Sequence, residues 1–303
     1  MIKTIIYIFF LFGVLSFAQS EKYTVTNLEI NNENPHFGLM KLKNDKIIFT
    51  SYLLGKKGKL KLVSGSPILT IYEGTLSESG KITDVIPVKI DEKQILPTIT
   101  SATISPDGSR LYLTTIYNNK NKPKGDFKTT NFHIEVGEYN EAIGWTNFKV
   151  LPFCKPKYSY AHPALSPDGK TLYFTANIRG GKETTKGGSD IFKVTILGNN
   201  TYSEPKNLGS KVNSYSREMF PFISSDNTLY LASNRPNGFG GFDIYRSTMN
   251  EDGTFNKSEK LPKPINSNKD DFSLIMDTSS SGYFSSKRTG GKGDDDVYYF
   301  KKI

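Results

Sequence analysis

The stretch that decides the fold runs from Tyr160 to Leu208: YAHPALSPDGKTLYFTAN (160–177), a loop, then GGSDIFKVTI (187–196) and NNTYSEPKNL (199–208). Ser166-Pro167-Asp168-Gly169 is a tight turn, with Pro presetting φ, Asp tolerating the bridge region and Gly accommodating the turn's last position. Thr171–Ala176 and Ile191–Ile196 are short and rich in β-branched and aromatic residues, the composition of strands. The unit reads strand, turn, strand, longer loop, strand, turn, strand. A four-stranded meander cannot bury both of its faces by itself, so it needs neighbours of its own kind.

Those neighbours are present. Ser105-Pro106-Asp107-Gly108 precedes Arg110-Leu111-Tyr112-Leu113, Ser224-Ser225-Asp226-Asn227 precedes Thr228-Leu229-Tyr230-Leu231, and Asp277–Gly282 precedes Tyr283-Phe284. The third strand recurs as Asp190-Ile191-Phe192, Asp243-Ile244-Tyr245 and Asp296-Val297-Tyr298, and weakens to His133-Ile134 and Thr70-Ile71-Tyr72. Large residues open the fourth strand at Trp145, Tyr202 and Phe255. The repeat length of about 55 residues is slightly above the roughly 40–50 of ordinary propeller blades, as inserted loops make it.

SPDGKTLYFTAN, GGSDIF and YSEPKNLGSKVNS, with SNRPNGFGGFDIY and EDGTF in the following copy, resemble the TolB-like, or WD40-like, β-propeller repeat of bacterial envelope proteins. Two copies match closely (160–267), two partly (97–152 and 271–300), and one is placed mainly by its position (36–90). The resemblance implies an all-β propeller and little about activity, because propellers host unrelated functions. Such repeats occur in the periplasmic TolB propeller, in propellers fused to peptidoglycan-binding domains and in some polysaccharide lyases.

The five copies supply first, second and third strands, but only four internal fourth strands accompany them. Thr24-Val25-Thr26-Asn27-Leu28 resembles the fourth-strand segment Glu204-Pro205-Lys206-Asn207-Leu208. We therefore expect a five-bladed propeller of four-stranded antiparallel blades, with the N-terminal strand paired into the last blade to remove the open edges. Upstream of that strand, Lys3, the apolar run Ile5–Phe17 and the small residues of Ser16-Phe17-Ala18 read as a signal peptide over residues 1–18, cleaved before Gln19. The run is short for a membrane span. Residues 19–303 read as one exported propeller domain, periplasmic or secreted and outer-membrane-associated, with no transmembrane anchor after cleavage. The composition suits this reading, at 13% aromatic with 26 Gly and 15 Pro. Cys154 is the only cysteine, so no intrachain disulfide forms, and it reads as a buried filler.

The net charge is +9. In an up-and-down meander, the loops between second and third strands share a face with the loops between blades. Lys57, Lys59, Lys122, Lys124, Arg179, Lys182, Arg217, Arg235 and Arg288 all fall on that face. Its expected partner is acidic, an envelope protein complex or an anionic glycan. Nucleic acid is not expected, because the chain is read as exported and no basic motif is interleaved with aromatics. Asp190, Asp243 and Asp296 sit at one repeat position and read as structural acceptors. No cofactor or metal is expected: the Asp294-Asp295-Asp296 run lacks the alternating ligands of a calcium loop, and the histidines lack short spacing.

Enzymatic signals are sparse. Five-bladed propellers also carry glycosidases, which converge carboxylates on the central funnel. The starts of the innermost strands hold His36, Thr98, His162, Glu218 and Asp271. Glu218 and Asp271 come from adjacent blades, so with His162 they form the candidate catalytic set of a glycosidase or polysaccharide lyase. No nucleophile elbow, P-loop or dinucleotide fingerprint is present. The favoured reading is a non-catalytic binding propeller. Convergence of Glu218, Asp271 and His162 in a pocket would favour the enzyme, and an axis closed by apolar side chains would favour the binder.

Overall fold

The computed structural model describes residues 21–63, 65–77, 79–117, 123, 128 and 130–303. The expected signal peptide, Lys122 and Lys124 therefore lie outside the described residues. Among the described residues, five small antiparallel sheets succeed one another as blades, and Leu62–Val63 pairs with Ser66–Pro67 in a further two-stranded sheet. Blade I is Phe37–Lys41, Lys46–Tyr52, Leu69–Leu76 and Ile82–Pro87, and blade II is Ser101–Ile104, Arg110–Ile116, Phe132–Asn140 and Gly144–Val150. Blade III is Tyr160–Leu165, Thr171–Ala176 and Asp190–Gly198, with an outer strand split into Thr201–Tyr202 and Lys206–Asn207. Blade IV is Glu218–Ile223, Thr228–Ser233, Asp243–Thr248 and Glu259–Lys260. Blade V is Asp271–Met276, Ser281–Ser286 and Asp296–Lys302, and its outer strand is Tyr23–Asn27 from the other end of the chain.

That last pairing closes the ring. Tyr23 lies opposite Lys302 and Asn27 opposite Tyr298, antiparallel and without a register shift. Tyr23 and Val25 turn inward onto the apolar cluster that holds Phe284 and Phe300, so the strand contributes packing as well as ladder bonds. Glu21 adds an ion pair to Lys302 at 2.8 Å and one to Arg246 at 3.0 Å.

Five apolar clusters lie in the five gaps between neighbouring blades. Phe49 and Tyr72 of blade I meet Tyr283 and Val297 of blade V, and Ile48 and Ile71 meet Leu111 and Leu113 of blade II. Tyr112 and Ile134 meet Phe174 and Phe192, Tyr173 and Ile191 meet Leu229 and Tyr245, and Ile244 meets Phe284 and Phe300. Each blade thus buries both faces against its neighbours, which a single meander cannot do. Cys154 is buried in the gap between blades II and III, where burial pushes its thiol up to about 12.

The SPDG turns form as expected. Asp107 and Asp168 accept hydrogen bonds from the Ser that opens the turn and from the backbone two residues on, and these bonds hold both carboxyls below the usual carboxylate range. The outer strands of blades III and IV have two-residue segments, too short to cover the third strand, and asparagines complete the pairing. Asn213 Oδ1 accepts from the Ile191 N–H at 2.8 Å, and its Nδ2 donates to the Ile191 carbonyl at 2.9 Å. Asn266 does the same for Ile244, and Asn31 does it for Val297 across the closure. The three carbonyls also accept from Leu208, Leu261 and Leu28, so it is the buried N–H that would carry the cost of desolvation without this clasp.

Candidate functional site

Two regions were expected to carry function: the axis, where the innermost strands meet, and the basic loop face. At the axis, four of the five innermost strands contain a bulge. The register shifts between Phe37 and Met40, Ala161 and Ala164, Met219 and Phe222, and Phe272 and Ile275. The bulged residues adopt positive φ: Gly38 (65°), His162 (53°), Phe220 (49°) and Ser273 (54°). A bulge re-aims the side chains around it, and these bulges fall at the same position in blades III, IV and V. The pairs Tyr160–Ala176, Glu218–Ser233 and Asp271–Ser286 put Tyr160, not His162, level with the two acids. His162 instead shares a level with Phe220 and Ser273.

Glu218 and Asp271 are fully buried, and each is enclosed in a network of its own. Glu218 accepts from Ser214 N (3.0 Å), Ser214 Oγ (2.6 Å), Ser233 Oγ (2.7 Å) and Arg235 Nη2 (3.3 Å). Asp271 accepts from Ser267 N (2.5 Å), Ser267 Oγ (2.8 Å), Ser286 Oγ (2.6 Å) and Arg288 Nη2 (2.7 Å). Each carboxylate ties an interblade loop to its own blade. Blade III is an internal control: where the acid is replaced by Tyr160, the Ser-x-Arg of blades IV and V (Ser233-Asn234-Arg235, Ser286-Lys287-Arg288) is replaced by Ala176-Asn177-Ile178. Acid, Ser and Arg come and go together, as parts of one brace.

The axis itself is aromatic. Phe220 lies 5.2 Å from Phe272 and 6.3 Å from Phe37, ring centre to ring centre, Phe37 is 6.3 Å from Phe272, and His162 stacks on Phe220 at 3.7 Å. Four blades thus contribute rings to one cluster. Burial holds His162 down at about 3 and His36 at about 4, so both are neutral near neutral pH. The three members of the candidate catalytic set do not converge: the two acids are enclosed in separate networks, and His162 bonds to neither. One acid–base pair that sequence reasoning missed, His133 and Glu135 at 2.8 Å, lies buried in the third strand of blade II under Tyr117. Its signal was the i, i+2 spacing on a strand. Among the described residues, no group of three His, Cys, Asp or Glu side chains is arranged to hold a metal ion, and no helix is long and apolar enough to cross a membrane.

The basic residues divide into two kinds. The guanidinium of Arg235 is engaged inside the protein, bonding Ser233, Ser258 and the Val212 carbonyl and lying 4.3 Å over Tyr245. Arg288 bonds Ser286, Pro264 and Ile265 and lies 4.8 Å over both Phe284 and Tyr298. Arg179 is exposed but donates to the Thr185 and Gly187 carbonyls, shaping the blade III loop. Lys287 is paired with Asp294 and Asp295. In contrast, Lys56, Lys57, Lys59 and Lys61 stand exposed on the blade I hairpin between Leu53 and Ile68, and none forms an ion pair among the described residues. Lys182 and Arg217 are also exposed. The hairpin carries four exposed apolar side chains as well: Leu54, Leu60, Leu62 and Val63.

No protein-family model matches the chain, and no curated protein matches it by sequence. Solved structures match it by shape. It is similar to an α-L-arabinofuranosidase from Lactobacillus brevis, with a TM-score of 0.54 and 12% identity over 90% of each chain. It is similar to the β-1,2-mannobiose phosphorylase of Listeria innocua, with a TM-score of 0.53 and 10% identity over 93% of this chain and 90% of that one. A putative TolB from Agrobacterium tumefaciens superposes with a TM-score of 0.49 and 12% identity over 94% of this chain and 99% of that one. The first two likenesses show a shared fold. The five-bladed propeller expected from the repeat is the architecture observed, and at such identities nothing passes from these neighbours about substrate or partner.

Asp190, Asp243 and Asp296 each accept backbone N–H groups from the loop that precedes the third strand: Lys186 and Gly187, Phe239 and Gly240, Lys292 and Gly293. Asp190 and Asp296 also hold Asn207 and Asn27 of the outer strand at 2.7 and 2.8 Å.

Proposed function

We propose that this chain is an exported, non-catalytic binding propeller of the cell envelope that docks an acidic protein partner on its second-to-third-strand loop face. One observation carries the reading. The ionisable groups that catalysis at the axis would need are consumed by internal braces or held neutral by burial, whereas the lysines of the blade I hairpin are free. Leu54, Leu60, Leu62 and Val63 beside those lysines favour a protein partner over a glycan, because a partner with an apolar patch inside an acidic rim satisfies both. Lys182 in the blade III loop and Arg217 in the loop entering blade IV add exposed positive charge to the same loop face. Export rests on the apolar run near the N-terminus and places the partner in the periplasm or at the outer membrane.

The test is capture from envelope extracts by immobilised full-length protein. Replacing Lys57, Lys59 and Lys61 with Glu should abolish capture while leaving the melting temperature nearly unchanged, since surface charges away from caps and buried pairs shift stability by less than about 0.5 kcal/mol. Capture should weaken steeply as salt rises, because the Debye length is about 8 Å at physiological ionic strength. Capture that is indifferent to salt and to the three reversals would remove this reading. Retention on an anionic polysaccharide without any captured protein would replace the protein partner with a glycan.

A further inference from the structure

Opposite the basic loop face, on the face of the first-to-second-strand turns, the axis opens into a funnel of about 680 Å³. That volume lies within the roughly 300–1,000 Å³ of small-molecule sites. Its mouth takes a large apolar side chain from every blade: Met40, Ile104, Leu165, Phe222 and Met276, each partly exposed. Its floor is the bulge level, where His162 and Phe220 stack and Gly38 leaves room.

The charges at the rim cancel. Lys41 pairs with Asp277 at 2.5 Å, Lys46 lies 3.6 Å from Glu73, and exposed Lys43 is matched in number by Asp107. Neither sign is left over to select an ion. At the floor, His162 offers a polar group. His162 is 8% exposed, and its Nδ1 is occupied on the blade side by Thr175 Oγ1 at 3.2 Å and by the Phe220 N–H at 3.5 Å. A backbone N–H only donates, so Nδ1 is the acceptor and the proton of the neutral ring sits on Nε2. Nε2 is the ring's other nitrogen; no hydrogen bond from it is found among the described residues, and His162 lines the funnel. An unmet donor at the end of an apolar funnel is the arrangement that fixes one polar end of an otherwise apolar ligand.

We propose that the funnel binds a small, uncharged, lipid-like molecule whose apolar body fills the mouth and whose single carbonyl or hydroxyl oxygen accepts from His162 Nε2. This site is separate from the basic hairpin, so it stands or falls independently of the docking function proposed above.

The experiment uses the full chain and the uncharged dye N-phenyl-1-naphthylamine, whose fluorescence rises in apolar surroundings, with displacement by methyl decanoate, decane and decanoate. Wild-type protein should enhance the dye. Methyl decanoate should displace it about tenfold better than decane, the scale of one hydrogen bond, and decanoate should be the poorest because its charge has no partner. Ile104→Trp and Leu165→Trp, each of which fills the mouth, should lose the enhancement while circular dichroism shows an intact fold. His162→Phe keeps the stacked ring, and Phe already occupies the equivalent bulge at position 220, so this variant should bind dye and decane normally but lose the preference for the ester. Leu60→Ser with Leu62→Ser on the opposite face should change nothing.

No enhancement by folded wild type, enhancement unchanged in both Trp variants, or loss in the hairpin variant instead would each overturn the proposal. An ester preference that survives His162→Phe would remove the assigned role of His162. If the dye fails to bind but Ile104→Trp abolishes capture of a protein, the funnel receives a protein side chain and the small-molecule site is refuted.

Discussion

Glu218 and Asp271 show how a residue's environment overrides its type. Acids at the start of adjacent innermost strands invite a catalytic reading, yet each accepts four hydrogen bonds, one of them from an arginine, while fully buried. Removing only the arginine leaves a buried carboxylate unpaired, so Arg235→Ala and Arg288→Ala should each cost about 3 kcal/mol in urea melts. Glu218→Gln should cost less, because Gln keeps an acceptor oxygen and the less buried Arg235 keeps its bonds to Ser233, Ser258 and the Val212 carbonyl. A stability loss below about 1 kcal/mol for both arginine variants would show that the braces are dispensable. His162 and His36 are held below their ordinary value by burial, at about 3 and about 4. The unfolded chain therefore binds protons that the folded one refuses, and stability is complete above about pH 6.5 and falls as the pH drops toward those values. At pH 5 a histidine shifted this far costs about 2 kcal/mol. Chemical melts of His162→Phe from pH 7 to 5 should fall less steeply than those of wild type, and parallel curves would refute the assignment.

Among the elements, the strand Tyr23–Asn27 carries the most consequence for its length. It completes blade V, partly buries Tyr23 and Val25, and supplies Asn27 to Asp296. Deleting residues 21–27 should cost several kcal/mol, a large share of the roughly 5–15 kcal/mol that holds a domain, and thermal melts measure it directly. An unchanged midpoint would mean that the closure adds nothing. Glu21 adds a pH signature, because its bond to Lys302 holds its carboxyl down at about 2. That contribution is complete above the ordinary value of 4.5 and is lost as pH falls from 4.5 toward 2, and Glu21→Gln should flatten this part of the acid unfolding curve. The blade I hairpin is the contrasting element. It projects four lysines and four apolar side chains from the sheet and offers the fold little burial in return, the profile of a segment kept for contact.

For the whole molecule, the expectation is binding without turnover. Purified protein should release no product from neutral or acidic polysaccharides, with or without divalent metal. Turnover abolished by Glu218→Gln or Asp271→Asn would restore the enzymatic reading. The blade count, the SPDG turns, the third-strand aspartates and the closing strand were legible in the sequence, because turn chemistry is local and a repeated unit reports its pattern several times. The fates of Glu218 and Asp271 were not. The level of His162 was countable: it stands four residues before Ser166, as Phe220 does before Ser224, whereas Tyr160, Glu218 and Asp271 each stand six before the turn. Arg235 and Arg288 read like their exposed neighbours until the Ser-x-Arg braces paired them with acids 17 positions away. The sequence by itself determined that five blades form and how they close, since each blade's instructions lie within its own copy. Only the tertiary structure decided which charges are left free and what fills the axis, because those depend on side chains that meet from separate blades.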